Sequence, residues 1–295
     1  KLLDDSLTSL DFSRLDYDHD IIVVDNASDQ FDMEFNFGSS KHTIIENEEN
    51  KGFAAANNQA FNEISGNIII LINPDTLVKV ETIKQMIAYL IAHPEAAIVG
   101  PELRDMEGNR ETSVYKPISL VGEISRQFNL EKVLHIAGYD LKNIDMTKPK
   151  TVGSVQGACM VIRRESIIDN RIFDDGYFMY SEEIDLCHNL RKRGWEIHWL
   201  PFLQIIHLGG QSTRIIQSRM FNELFRSKMR FFKKWFGAPH LFVYKVILFF
   251  SSIARITLLP LFHLISTNED QKRKFTQIQD NYKQLIPELF KVIPL

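Results

Sequence analysis

Short apolar runs alternate with helix-spaced segments through the first two thirds of the chain. Residues 20–25 read Asp-Ile-Ile-Val-Val-Asp and run into Asn-Ala-Ser-Asp, which predicts a buried strand entering a polar loop. A second short strand is expected at 43–46. Residues 53–64 are rich in Ala and carry helical spacing. Residues 67–73 are almost wholly apolar, a third strand, and Pro74-Asp75 follows. Helical spacing returns over 80–92, with Pro94 as a stop, and a strand is expected at 96–100. Residues 101–150 are less regular, with turn signals at Glu107-Gly108-Asn109 and Lys148-Pro149, and read as a variable excursion. Order resumes with a strand over 152–163, interrupted by Gly157. A helix over 181–193 follows, N-capped by Ser181, with acids in its first turn, bases in its last and Gly194 as its stop. Strands are expected at 195–200 and 204–207.

Continuous apolar strands alternating with helices indicate an α/β fold, a mostly parallel sheet sandwiched by helices. Ligands bind such sheets at the carboxyl ends of the strands, where Asp25 and Asp75 fall.

The pattern changes after residue 213. Apolar residues recur at 216, 220, 221, 224, 225, 229, 232 and 236, a helical stripe, with Arg219, Arg226, Arg230 and Lys233 on another face. Residues 214–264 hold nine Lys/Arg and one Glu, a net +8 within a chain of net −4. The apolar run 240–265 is interrupted by Lys245, Arg255 and Pro260. A spanning helix needs about 20 apolar residues. The expectation is therefore a helical, basic and aromatic extension over 214–295, lying in the plane of an anionic membrane surface, beside an α/β domain over 1–213. The competing expectation is an ordinary packed helical subdomain.

Composition narrows the class. At 295 residues, 44% hydrophobic and 24% charged, the chain is ordinarily globular and long enough for a sizeable core. The slight acidic excess argues against a nucleic-acid partner. Cys159 and Cys187 are too few for a disulfide framework and read as reduced core thiols of a cytoplasmic protein. The opening KLLDDSLTSL has neither a basic nor an apolar leader region, so no signal peptide is expected.

Four segments could carry chemistry. Asn73-Pro74-Asp75 puts a carboxylate just past a buried strand, facing a metal or a sugar hydroxyl, unless Asp75 merely caps the next helix. Ser181-Glu182-Glu183-Ile184-Asp185 crowds three carboxylates into one helical turn. They serve either the helix dipole or, for one of them, general-base work. His207 precedes Gly209 and is either a structural histidine or a ligand. Asn50-Lys51-Gly52 opens a helix of small residues, where a phosphate or sugar could lie against backbone amides.

Taken together, the segments IIVVDNASD (21–29), NKGFAAANN (50–58), ILINPDT (70–76), GACMVIRRE (157–165), GYFMYSEEIDLCHNLRKRGW (176–195) and IIHLGGQST (205–213) resemble glycosyltransferase family 2, in its rhamnosyltransferase-like branch. They stand in the family's order. The resemblance implies a GT-A fold and an inverting enzyme that moves a sugar, rhamnose being one candidate, from a nucleoside diphosphate sugar to a saccharide acceptor. That acceptor would be lipid-linked, in cell-surface polysaccharide biosynthesis, with the protein peripheral on the inner face of the cell membrane. Asp25 and Asn26 match the donor's nucleoside pocket, and Asn50, Gly52 and Asn57 its turn. Asp75 matches the last acid of the metal-binding Asp-x-Asp motif, whose first acid is Asn73 here. His207 matches a ligand completing the shell of Mg²⁺ or Mn²⁺. Glu183 falls where the family places its base, with Glu182 and Asp185 as the alternatives. The family begins with a strand before the helix matched by residues 1–10, so the first strand is expected to be missing. A non-catalytic nucleotide-sugar-binding or scaffold homologue is the alternative function.

Overall fold

The computed structural model describes residues 1–28, 41–128, 130, 139, 144–209 and 217–295. The 213/214 boundary and Ile216 lie outside them. Two compact units emerge, one built from Lys1–Ile118, Gly138–Phe178 and Glu182–Gln211, the other from Ser119–Ala137, Met179–Ser181 and Ser212–Leu295.

In the first unit, helix α1 (Leu2–Leu10) precedes two parallel strands, β1 (Asp20–Asp25) and β2 (Lys41–Glu46), paired from Asp20↔Lys41 to Asp25↔Glu46. Helix α2 (Phe53–Glu63) leads to β3 (Ile68–Ile72), the two-residue β4 (Thr76–Leu77) and helix α3 (Val80–Ala92). Next come β5 (Ala96–Arg104) and β6 (Val114–Tyr115). Beyond the excursion lie β7 (Lys150–Thr151), β8 (Ser154–Val155), β9 (Cys159–Arg163), helix α5 (Glu182–Lys192) and β10 (Glu196–His207). The main sheet has the order β3-β9-β5-β10-β4, with β7 also on β10.

The parallel expectation holds for β1–β2 and β5–β10, but β9 runs antiparallel to both β3 and β5. The reason is connectivity: β9 follows a long excursion rather than a single crossover helix, so nothing forces it parallel. Its reversal carries Gly157, two residues before its first residue, to the carboxyl end of β3, where Ile72 pairs with Cys159. The strand expected over 152–163 thus splits at Gly157, β8 pairing with β6 and β9 entering the main sheet. Conversely, 195–200 and 204–207 are one strand. Leu200 pairs with Pro101 and Gln204 with Glu102, so extra residues bulge from β10 and leave Phe202 exposed.

Both faces of the sheet are covered. Met160 and Ile162 of β9 pack with Trp199, Cys187 and Leu190, while the alternate Cys159 and Val161 pack with Ile83, Met86 and Leu90 of α3. Both cysteines are free, buried and pushed up to about 12 by burial, the inert core thiols expected.

The second unit is helical: α4 (Leu120–Gln127), α6 (Gln217–Ile265) and α7 (Glu269–Leu289). Ser119 caps α4 by accepting from the Gly122 amide, and Asn268 caps α7. The run α6 breaks at Gly237, whose φ of 80° is non-helical. The apolar stripe expected on a membrane surface is instead core. Phe225, Met229 and Phe232 pack with Tyr244, Leu248, Tyr282 and Leu285. Helix α7 supplies the apolar partner that the sequence pattern could not name.

Much of the basic face is also consumed internally. Lys228 meets the fully buried Glu123 at 2.8 Å, and Arg126 meets it at 2.5 Å. Burial pushes the Glu123 carboxyl up, but these two cations outweigh it and hold it below the usual range. Arg230 donates to Pro294 O, Lys233 to Ile293 O and Lys245 to Lys291 O, satisfying carbonyls left bare past the end of α7. Exposed apolar side chains lie further along α6, at Phe242, Phe250, Leu258, Leu261, Phe262, Leu264 and Ile265. By length and composition this helix could cross a membrane.

Candidate active site

The donor-turn residues form a closed network at the end of β1. Asn26 donates from Nδ2 to Asn50 Oδ1 (3.0 Å) and to Gly52 O (3.2 Å), and its Oδ1 accepts from Asn47 Nδ2 (3.2 Å) and Lys51 N (3.0 Å). Asn50 Oδ1 also accepts from Gly52 N. Asp25 is buried, and its carboxylate accepts from Ser28 N at 3.2 Å. Gly52 has a φ of 88°, and a Cβ there would lie 2.4 Å from Phe178 O. Only glycine fits that approach. Asn57 donates to Phe53 O inside α2, whereas Asn58 ties α2 to Ile172, Phe173 and Asp175 and is scaffold.

Past β3, residues 73–76 form a turn closed by Thr76 N to Asn73 O at 3.1 Å. Asp75 is buried and does not cap α3, whose N-terminal residue Lys79 has no side-chain cap bond. Its Oδ1 lies 3.6 Å from His207 Nε2, because β10 pairs His207 with Thr76. The sequence reading missed Glu111. Its Oε2 is 2.7 Å from His207 Nδ1, placed to accept a hydrogen bond from Nδ1–H while Nε2 faces Asp75. Only tertiary proximity could have found it, since 96 residues separate the two.

Helix α5 opens on Glu182 and Glu183. Ser181 is no cap: its φ of 66° lies in the left-handed region, as does that of Tyr180, and its buried Oγ has no partner. The Glu183 residue is only partly covered, but its Oε2 is cut off from solvent and unpartnered. Burial raises its carboxyl to about 7, partly offset by its own amide and that of Ile184. Glu182 is buried and raised well above the usual range by burial and then by the Glu183 charge. Asp185 accepts from Tyr177 Oη at 3.0 Å. Of the three acids, Glu183 alone borders Gly157, where an added Cβ would touch Glu183 Cβ at 3.8 Å and the Phe53 ring at 3.9 Å.

These contacts bring the pieces together. Phe53 N donates to the Phe178 carbonyl, which Gly52 approaches closely, Phe53 and Glu183 flank Gly157, and Ala158 O accepts from Asn73 N at 2.9 Å. An amide-lined turn, an acid–imidazole pair and a carboxyl near neutrality thus share one end of the sheet. Asp75 and His207 present one oxygen and one nitrogen donor side by side, a set that suits Mn²⁺ or Mg²⁺.

The family model for glycosyl transferase family 2 matches residues 2–171. The chain is 27% identical over 153 residues to the N-acetylglucosaminyl-diphospho-decaprenol L-rhamnosyltransferase of Mycobacterium tuberculosis, covering 49% of this chain and 48% of that protein. It is 24% identical over 163 residues to the rhamnosyltransferase WbbL of Escherichia coli, covering 55% and 60%. It therefore spans about half to three fifths of these relatives. Among solved structures, the mannosyltransferase PcManGT from Pyrobaculum calidifontis, in complex with GDP-Man and Mn²⁺, superposes with a TM-score of 0.55 at 15% identity, over 98% of this chain and 83% of that one. That likeness shows the GT-A fold. With a family match over more than half its length and the family's segments gathered at one sheet end, the chain belongs to glycosyl transferase family 2.

Proposed function

We propose that this protein transfers a sugar from a nucleoside diphosphate sugar to a saccharide hydroxyl, inverting the anomeric carbon, with Glu183 as the general base. The observation that carries this reading is the Glu183 carboxyl, cut off from water beside Gly157 and raised to about 7. A base poised near neutrality takes the acceptor's proton as its oxygen attacks. Asp25, Asn26, Asn50 and Gly52 would bind the donor's nucleoside end. A divalent cation held by Asp75 and His207 would supply positive charge to the departing diphosphate. Glu111 orients His207 for that task. Asp185, engaged by Tyr177, supports the helix start rather than the chemistry.

The relatives' names support a rhamnosyl donor, and the diphospho-decaprenol in one of them supports a lipid-linked acceptor. A lipid-bound acceptor calls for a protein at the membrane's cytoplasmic face. The exposed apolar side chains of α6 between Phe242 and Ile265 suit insertion into that surface.

The test is a donor screen with Mn²⁺ and a lipid-linked saccharide, read by product configuration. Glu183→Gln should bind donor as the parent does and lose about 10²–10⁴-fold in kcat. Asp75→Ala should lose metal-dependent donor binding with its fold intact. Normal turnover by Glu183→Gln sinks the assignment. Donor binding without transfer in the parent, across the whole panel, favours the non-catalytic homologue.

A further inference from the structure

We propose that His93, Glu95 and His198 form a second metal site, for a borderline divalent ion such as Zn²⁺, at the amino end of the sheet. One ligand atom from each of His93, Glu95 and His198 lies within 4.8 Å of the others. His93 Nδ1 is 2.9 Å from Glu95 Oε1, and His198 Nε2 is 2.8 Å from Glu196 Oε2, a contact that the metal would replace. Donor atoms around a tetrahedral zinc with bonds of about 2.0–2.1 Å stand about 3.4 Å apart.

The surroundings favour ligation. With a metal on Nε2, Tyr89 Oη, 3.0 Å from His198 Nδ1, would accept the hydrogen bond from Nδ1–H, the arrangement that orients ligating histidines elsewhere. Tyr89 also stacks on the His93 ring at 4.0 Å. The frame is rigid: Glu196 N donates to Glu95 O, and Arg163 holds Ala96 O and His93 O at 2.9 Å each.

This cluster is separate from the candidate active site. His198 and His207 lie on the same strand, and at about 3.3 Å per residue they are roughly 30 Å apart at most. The donor sets differ too. Two imidazoles with one carboxylate favour Zn²⁺ over Mg²⁺ or Mn²⁺. A metal here would clip the end of α3 to the starts of β5 and β10, with a structural effect and none on the transfer step.

The test uses the full chain stripped with a chelator. Zn²⁺ should bind by equilibrium dialysis and raise Tm by a few degrees, and Co²⁺ should give visible bands of tetrahedral coordination. Asp75→Ala should keep this equivalent. The double variant His93→Gln/Glu95→Gln changes two partly exposed residues, so it folds. It should lose the Tm rise and the Co²⁺ bands, bind Zn²⁺ at least about tenfold more weakly, and keep its transferase activity. No Tm response or cobalt bands in the parent, or an unchanged Zn²⁺ affinity in the double variant, overturns the proposal.

Discussion

A carboxyl held near 7 makes Glu183 a stability determinant as well as a base. Its folded value lies above the unfolded value near 4.5, so the native state holds a proton that the unfolded chain has released. The cost is absent below about pH 4.5, grows as pH rises to about 7, and is then constant at about 3 kcal/mol. Glu183→Gln should therefore melt above the parent at pH 8 and level with it near pH 4.5. A difference independent of pH would show that the carboxyl titrates normally. Glu111 makes a second test at this scale. Glu111→Ala removes the acceptor of the His207 Nδ1–H and should weaken Mn²⁺ in donor-binding titrations by about 10–100-fold.

At the scale of elements, the start of α2 depends on backbone shape more than on side chains. Gly52 combines a φ of 88° with a Phe178 carbonyl 2.4 Å from any Cβ, and a carbonyl cannot swing aside as a side chain can. Gly108 has a similar φ of 81° with nothing within 4 Å. Gly108→Ala should cost about 1 kcal/mol in chemical denaturation, the strain of the backbone alone. Gly52→Ala should cost more than twice as much and weaken donor binding, because α2 must shift away from Phe178. Equal costs would mean that the close approach is not what glycine serves. The β9 reversal acts in the same way. It sets Gly157 between Phe53 and Glu183, where a larger residue would wedge them apart.

For the whole molecule, the balance of forces at a membrane differs from the one that net charge suggests. The +8 of residues 214–264 implies salt-sensitive binding. Yet Lys228, Arg230, Lys233 and Lys245 spend their donors on Glu123 and on carbonyls near the chain's end. Attachment should then rest chiefly on apolar insertion. In flotation with anionic liposomes the full chain should rise at low and high salt alike, with a modest loss at high salt. Phe250→Ser/Phe262→Ser, two exposed positions, should sink or bind several-fold more weakly. A parent that stays at the bottom of both gradients removes the membrane from this picture.

The local and periodic features are legible in the order of residues alone. Strands and helices, the carboxylates at strand ends, the Gly52 turn and the family's ordered segments all follow from residue spacing, because propensity and periodicity act over a few neighbours. The pairing of distant segments was decided only by the tertiary structure. The antiparallel β9, Glu111 behind His207, the choice of Glu183 over its neighbours at Gly157, and the burial of the 220–236 stripe against α7 are all of this kind. An amphipathic stripe has the same pattern whether lipid or another helix covers it. A carboxylate's affinity for its proton depends on what surrounds it in space, which no spacing along the chain records.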